Sequence, residues 1–88
     1  MEYDYSFHGI DLVQTCGACP ESYNAFKNGV CVGHLRLRHG VFTVDYELGG
    51  YNPQRIWTVE TEGDGIFDTS EREECLESAC QLLSVASI

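Results

Sequence analysis

Positive charge is scarce in this chain of 88 residues: five Lys and Arg stand against fourteen Asp and Glu, leaving a formal −9 at neutral pH. A surface this acidic repels nucleic acid, which excludes direct binding to DNA or RNA. Apolar runs are short, and none is long enough to span a bilayer. Residues 1–10 are acidic and aromatic where a secretory signal is basic and then apolar, so the expected location is the cytoplasm. Five cysteines, an odd number without a signal, are expected to remain thiols there. The chain also lacks a repeat of solenoid length and a low-complexity linker. It has no phosphate-cradling glycine loop, no nucleophile with a base in predictable geometry and no paired carboxylates in a cleft motif. These absences point away from an enzyme.

What is present is enough for a folded domain. A hydrophobic content of 43% with aromatics spread along the chain argues against a disordered acidic tail. The length suits one core, so residues 1–88 are read as a single domain. The charge is uneven. Eight of the fourteen acids (Glu60, Glu62, Asp64, Asp68, Glu71, Glu73, Glu74 and Glu77) fall after Ile56, where Arg72 is the one base. Lys27, Arg36, Arg38 and Arg55 lie in the middle, against Asp45 and Glu47.

The first two thirds read as strands. Tyr3, Tyr5 and Phe7 alternate on one face, and Ile10 and Leu12 resume the alternation, with His8-Gly9 as a tight turn or Gly9 as a bulge. Thr15 to Glu21 reads as a loop. Asn28-Gly29 is a strong hairpin signal, because both central residues of a type I′ turn need positive φ. A two-residue turn at His39-Gly40 sets Leu37 opposite Phe42 and Leu35 opposite Val44 on one face, and Arg36 opposite Thr43 and His34 opposite Asp45 on the other. The same register across Asn28-Gly29 puts Phe26 opposite Cys31, on the apolar side. Residues 22–27, 30–38 and 41–48 thus form a meander, Gly49 to Gln54 a loop, and Arg55 to Glu62 a further strand with Trp57 and Val59 on one face.

A helix begins near Asp68 to Ser70. Ser70 with Glu73 fits a capping box, and Asp68 with Glu71 fits one equally well. Leu76, Ala79, Cys80 and Leu83 recur at helical spacing and are expected to lie on the sheet. The expected fold is therefore α+β: an antiparallel sheet of about four to six strands in a hairpin meander, packed against one C-terminal helix.

Three constellations carry possible chemistry. Cys16-Gly17-Ala18-Cys19 has the gap of a zinc knuckle, although no second knuckle completes four ligands, and a plain turn with two free thiols also fits. Counted as twelve positions, Glu60 to Glu71 places oxygens at 1, 3, 5, 9 and 12 and Gly65 at 6, which resembles a calcium-binding EF-hand loop. It departs in having Glu at positions 1 and 3, Phe67 at 8 and a strand before it. A glycine turn leading into an acid-capped helix accounts for the same residues. The third is the acidic helix face with its flanking loop, Asp64, Asp68, Glu71, Glu73, Glu74 and Glu77. Its carboxylates at i, i+3 and i+4 spacing lie roughly 5–6 Å apart, close to the spacing of phosphates. An ordinary solvated face is the alternative. His34, Arg36 and Arg38 form a small basic stripe expected to make cross-strand ion pairs.

Thr15-Cys16-Gly17-Ala18-Cys19-Pro20-Glu21, Gly33-His34-Leu35-Arg36-Leu37-Arg38-His39-Gly40 with Phe42 to Tyr46, and Gly63-Asp64-Gly65-Ile66-Phe67 before Glu71-Arg72 together resemble a family of short proteins encoded in bacteriophages and prophages. The resemblance spans most of the chain and transfers no functional residue. It implies a class: small acidic phage proteins that inhibit host defence, anti-CRISPR proteins among them. On this reading the partner is a nucleic-acid-binding host protein such as a CRISPR effector. Glu73, Glu74 and Glu77 are central to the contact, with Asp64, Asp68 and Glu71 at its edge, as a possible DNA mimic. The competing readings are a module holding zinc through Cys16 and Cys19 or calcium through residues 60–71, and an oligomer formed by an edge strand near Met1.

Overall fold

Three dipeptides set the course of the chain. His8-Gly9, Asn28-Gly29 and His39-Gly40 each place two successive residues at positive φ (54° and 78°, 53° and 80°, 54° and 72°). This is the backbone of a type I′ turn, whose twist matches that of the strands it joins, and Asn and His tolerate its first position better than other side chains. Gly9 is thus part of a tight turn, not a bulge. The computed structural model describes residues 3–18, 20–47 and 53–86. The strands are β1 (Tyr5–Phe7), β2 (Ile10–Cys16), β3 (Glu21–Lys27), β4 (Val30–Arg38), β5 (Val41–Tyr46) and β6 (Gln54–Glu60), followed by the helix α1 (Thr69–Ala86). They form one open antiparallel sheet in the order β1-β2-β3-β4-β5-β6, with a C-terminal helix on one face, an α+β arrangement.

The β4–β5 register is the one expected from the two-residue turn: Leu37 opposite Phe42, Arg36 opposite Thr43, Leu35 opposite Val44 and His34 opposite Asp45. Alternation then sends Ile10, Leu12, Tyr23, Ala25, Leu35, Leu37, Phe42 and Val44 to one face, where all are buried. Leu76, Ala79, Cys80 and Leu83 cover them from the helix and are fully buried themselves. Withdrawing Leu76 and Leu83 from water contributes about 1.5–3 kcal/mol each. Burial pushes the Cys80 thiol up to about 12, so this cysteine behaves as a small core hydrophobe. Trp57 and Val59 share a face of β6 and pack against the edge of the core, Trp57 meeting Phe42 edge-on at 5.9 Å.

Two expectations need correction. Thr15 and Cys16 end β2 and Glu21 begins β3, so the connection between them is shorter than the loop read from Thr15 to Glu21. Phe26 does stand opposite Cys31, but not on the apolar side. The register slips between Ala25 and Phe26, leaving Val32 as an extra residue in β4. That bulge reverses the faces for the residues before it, as a one-residue insertion must. Beside it the helix comes close: a Cβ added at Gly33 would lie 2.5 Å from the Asp45 carbonyl oxygen and 2.9 Å from Leu83 Cδ2. Glycine is the residue that allows this approach.

The loop expected from Gly49 to Gln54 lies mostly outside the described residues, as do Met1 and Cys19. Among the described residues, no helix is long and apolar enough to cross a membrane.

Candidate functional site

The N-terminus of α1 is organised by one carboxylate. Glu71 accepts hydrogen bonds from the backbone N–H groups of Glu62 (2.9 Å), Gly63 (2.8 Å) and Asp68 (2.9 Å). The Asp68 carbonyl in turn accepts from the N–H groups of Glu71 and Arg72. Asp68 is therefore the N-cap and Glu71 its reciprocal partner, which decides between the two capping boxes legible in the sequence. The loop before the helix gathers N–H donors around the carboxylate that the calcium reading assigns to position 12. Burial pushes the Glu71 carboxyl up, and the three N–H bonds outweigh it, holding the group below the ordinary carboxylate range.

Arg72 does not break the acidic face, because it is not on it. Four residues before Leu76, it continues the buried stripe of the helix toward the sheet. There its guanidinium meets Glu21, which is fully buried: Arg72 Nε donates to Glu21 Oε2 (2.9 Å) and Nη2 to Oε1 (3.2 Å) and to the Phe67 carbonyl (3.3 Å). The Phe67 N–H and the Tyr23 hydroxyl also donate to Glu21. Burial raises the Glu21 carboxyl, and these bonds with the Arg72 charge overcome it, so its net shift is downward. Tyr23, buried and beside a carboxylate, is shifted up. Nothing in the sequence pairs these two residues, although Glu21 alternates inward with Tyr23 and Ala25 and Arg72 falls in the Leu76 stripe.

A pH dependence follows. Glu21 and Glu71 both have folded pKa values below their ordinary 4.5, so their contribution is complete above that value and is lost as pH falls through the lower folded values. Unfolding free energy is expected to be level from neutrality to about pH 5 and to fall steeply below it. Glu71→Gln should cost about 1.5–3 kcal/mol at neutral pH, the worth of a hydrogen bond to a charged group, and make the acid fall shallower. Denaturant titrations between pH 3 and pH 7 test this. A variant whose stability and acid profile match the wild type would show that Glu71 is not the organiser of this loop.

With Arg72 turned inward, no Lys or Arg stands among the remaining acids of the helix and its flanking loop. Asp64, Asp68, Glu73, Glu74 and Glu77 are all exposed. Among the described residues, Glu77 alone of these has an ionic neighbour, His8 Nε2 at 3.4 Å, from the β1–β2 turn. Glu71, half-buried and engaged by three N–H groups, belongs to the scaffold of this surface more than to its open part.

The opposite face of the sheet, not covered by the helix, is polar and mixed in charge. A depression of about 210 Å³ there is bordered by Ser22, Asn24, His34, Arg36, Asp45 and Arg55, among others. The basic stripe pairs differently from expectation. Asp45 is taken by Arg55 from β6 (2.9 Å and 3.4 Å), and His34 Nε2 lies 3.2 Å from Glu47. Arg36 and Arg38 are exposed and make no ion pair among the described residues. Register accounts for it, since Arg55 stands directly opposite Asp45.

Of the cysteines singled out for zinc, Cys16 is exposed, with Sγ 3.2 Å from the Ala18 carbonyl, and Cys19 lies outside the described residues. Among the described residues the donor atoms that converge as metal ligands do are those of Cys31, His34 and Glu47, within 4.8 Å of one another.

By its fold the protein is an α+β sheet-and-helix domain with an acidic helical side and a mixed-charge open sheet face. No family model, curated protein or solved structure matches the chain.

Proposed function

We propose that this protein is an interaction module whose acidic helix face docks into a basic groove of a nucleic-acid-binding host protein, acting as an inhibitor in the manner of phage proteins directed at CRISPR effectors. The observation that carries the reading is the inward turn of Arg72. It turns the last cation of the C-terminal third onto the buried Glu21 and leaves Glu73, Glu74 and Glu77 exposed on consecutive turns of a capped helix. Helices selected for stability alone commonly intersperse Lys four residues from Glu, and this one carries no Lys. Negative charge held in fixed geometry accelerates encounter with a basic groove, and the gain is lost with added salt.

The test is binding to purified CRISPR effectors, measured with the wild type and with a Glu73→Lys, Glu74→Lys, Glu77→Lys triple variant. The wild type should bind one of them and displace its DNA, at a rate that falls as salt rises past about 0.15 M, where screening shortens to about 8 Å. The triple variant should associate at least about tenfold more slowly. Equal binding by both proteins, or binding indifferent to salt, would place the contact off the helix.

A further inference from the structure

The geometry points to a zinc site on the open face of the sheet, formed by Cys31 Sγ, His34 Nε2 and a Glu47 carboxylate oxygen, with the fourth position left to water. It lies on the side of the sheet away from the acidic helix and does not depend on the docking proposal. Three features build it. The extra residue Val32 brings Cys31 to the same face as His34, which an unbulged strand would forbid for residues three apart. Glu47 is pinned to that bulge, because its N–H donates to the Val32 carbonyl at 2.9 Å, and its side chain is only 17% exposed. Asn24, directly opposite His34 on β3, has Oδ1 2.7 Å from Nδ1. The amide oxygen accepts from Nδ1, which leaves Nε2, 3.2 Å from Glu47, as the ring nitrogen placed to ligate a metal. This is the outer-sphere hydrogen bond that metal-binding histidines ordinarily make, and it orients the ring and its tautomer.

The distances suit the ion. Bonds of about 2.0–2.3 Å to N, O and S at tetrahedral angles separate the donors by roughly 3.3–3.6 Å. The three donor atoms already lie within 4.8 Å of one another, with His34 and Glu47 at 3.2 Å. Small side-chain rotations close the remainder. One thiolate, one imidazole and one carboxylate with an open position match zinc better than calcium or magnesium, which take oxygen donors. A bound ion would tie the start of β4 to the end of β5, where the chain leaves for residues 48–52.

Titration of the metal-free, reduced protein with cobalt(II), then displacement by zinc(II), tests the site. One equivalent should bind with a thiolate-to-metal charge-transfer band and tetrahedral d–d bands, and zinc should raise the melting temperature. Cys31→Ser should abolish the charge-transfer band, and His34→Gln should abolish tight binding. Both residues are only partly buried, and circular dichroism verifies that each variant is folded. Asn24→Ala should keep the spectrum and weaken affinity about 10–100-fold. A Cys16→Ser, Cys19→Ser double variant should bind as the wild type does. No binding, a band that survives Cys31→Ser, or one lost in the double variant would overturn the assignment.

Discussion

Replacing Arg72 with alanine is expected to destabilise the protein by about 3–5 kcal/mol, because it leaves the buried Glu21 carboxylate without its cation. For a domain with roughly 0.05–0.15 kcal/mol of stability per residue, that is a large share of the whole. The pH dependence of stability should also reverse its slope. In the wild type the Arg72 bonds hold the Glu21 carboxyl below its ordinary 4.5, so the pair stabilises above that value and fails in acid. Without Arg72, burial becomes the leading influence on Glu21 and lifts its folded pKa above the unfolded one. The Tyr23 hydroxyl and the Phe67 N–H remain as its partners. A raised carboxyl contributes below the ordinary value and loses its contribution as pH rises through the folded one. The variant should therefore be more stable near pH 5 than near pH 8, the reverse of the acid response expected for the wild type. Urea denaturation at both values decides it. A loss below about 1 kcal/mol, typical of exposed pairs, would mean that Arg72 and Glu21 behave as a surface contact.

Gly63→Ala should be nearly as damaging, at about 3 kcal/mol, through a different mechanism. A Cβ at this position would overlap the Ile66 carbonyl oxygen and lie 2.8 Å from Asp68 N and 2.9 Å from Phe67 Cα. All three are backbone atoms, so no side-chain rotation relieves the clash and the loop itself has to move. Movement here pulls on Phe67, which is buried against Phe42 with ring centres 5.0 Å apart. It also pulls on the Gly63 N–H that donates to Glu71. Overpacking of this kind costs about 1–3 kcal/mol, and a lost hydrogen bond to a charged group about 1.5–3 kcal/mol. Gly17→Ala is the control, since nothing lies within 4 Å of its added methyl group and the change should stay within about 0.5 kcal/mol of neutral. Thermal melts of the two variants side by side give the answer. If they coincide, the loop before the helix is looser than its contacts imply.

These two sites, with the cluster of Cys31, His34 and Glu47, mark where local reading stops. The Arg72–Glu21 pair joins residues 51 apart in sequence. Each residue carries a local hint of inward orientation, but nothing in the chain says that the two hints concern one another. The acidic surface reads differently once that pairing is seen. What looks in sequence like a run interrupted by Arg72 is an unbroken exposed face, with Glu71 withdrawn from it into the helix cap.

The amino-acid sequence by itself determined the turns, the register of β4 against β5 and the helix. Asn28-Gly29 and His39-Gly40 demand positive φ at adjacent residues, alternation carries each side chain to a definite face, and the Leu76–Leu83 spacing defines one stripe of a helix. Such rules act over a few residues and need no knowledge of what packs where. Only the tertiary structure decided which capping box closes the helix, which cation meets the buried Glu21, and which face Cys31 occupies. Those outcomes depend on how the helix sits over the sheet. Its approach at Gly33 lies beside the Val32 bulge, and the loop it closes carries N–H groups that compete for the Glu71 carboxylate. Contacts between distant segments settle such choices, because the energy of a buried charge or a bulge depends on neighbours that only folding supplies.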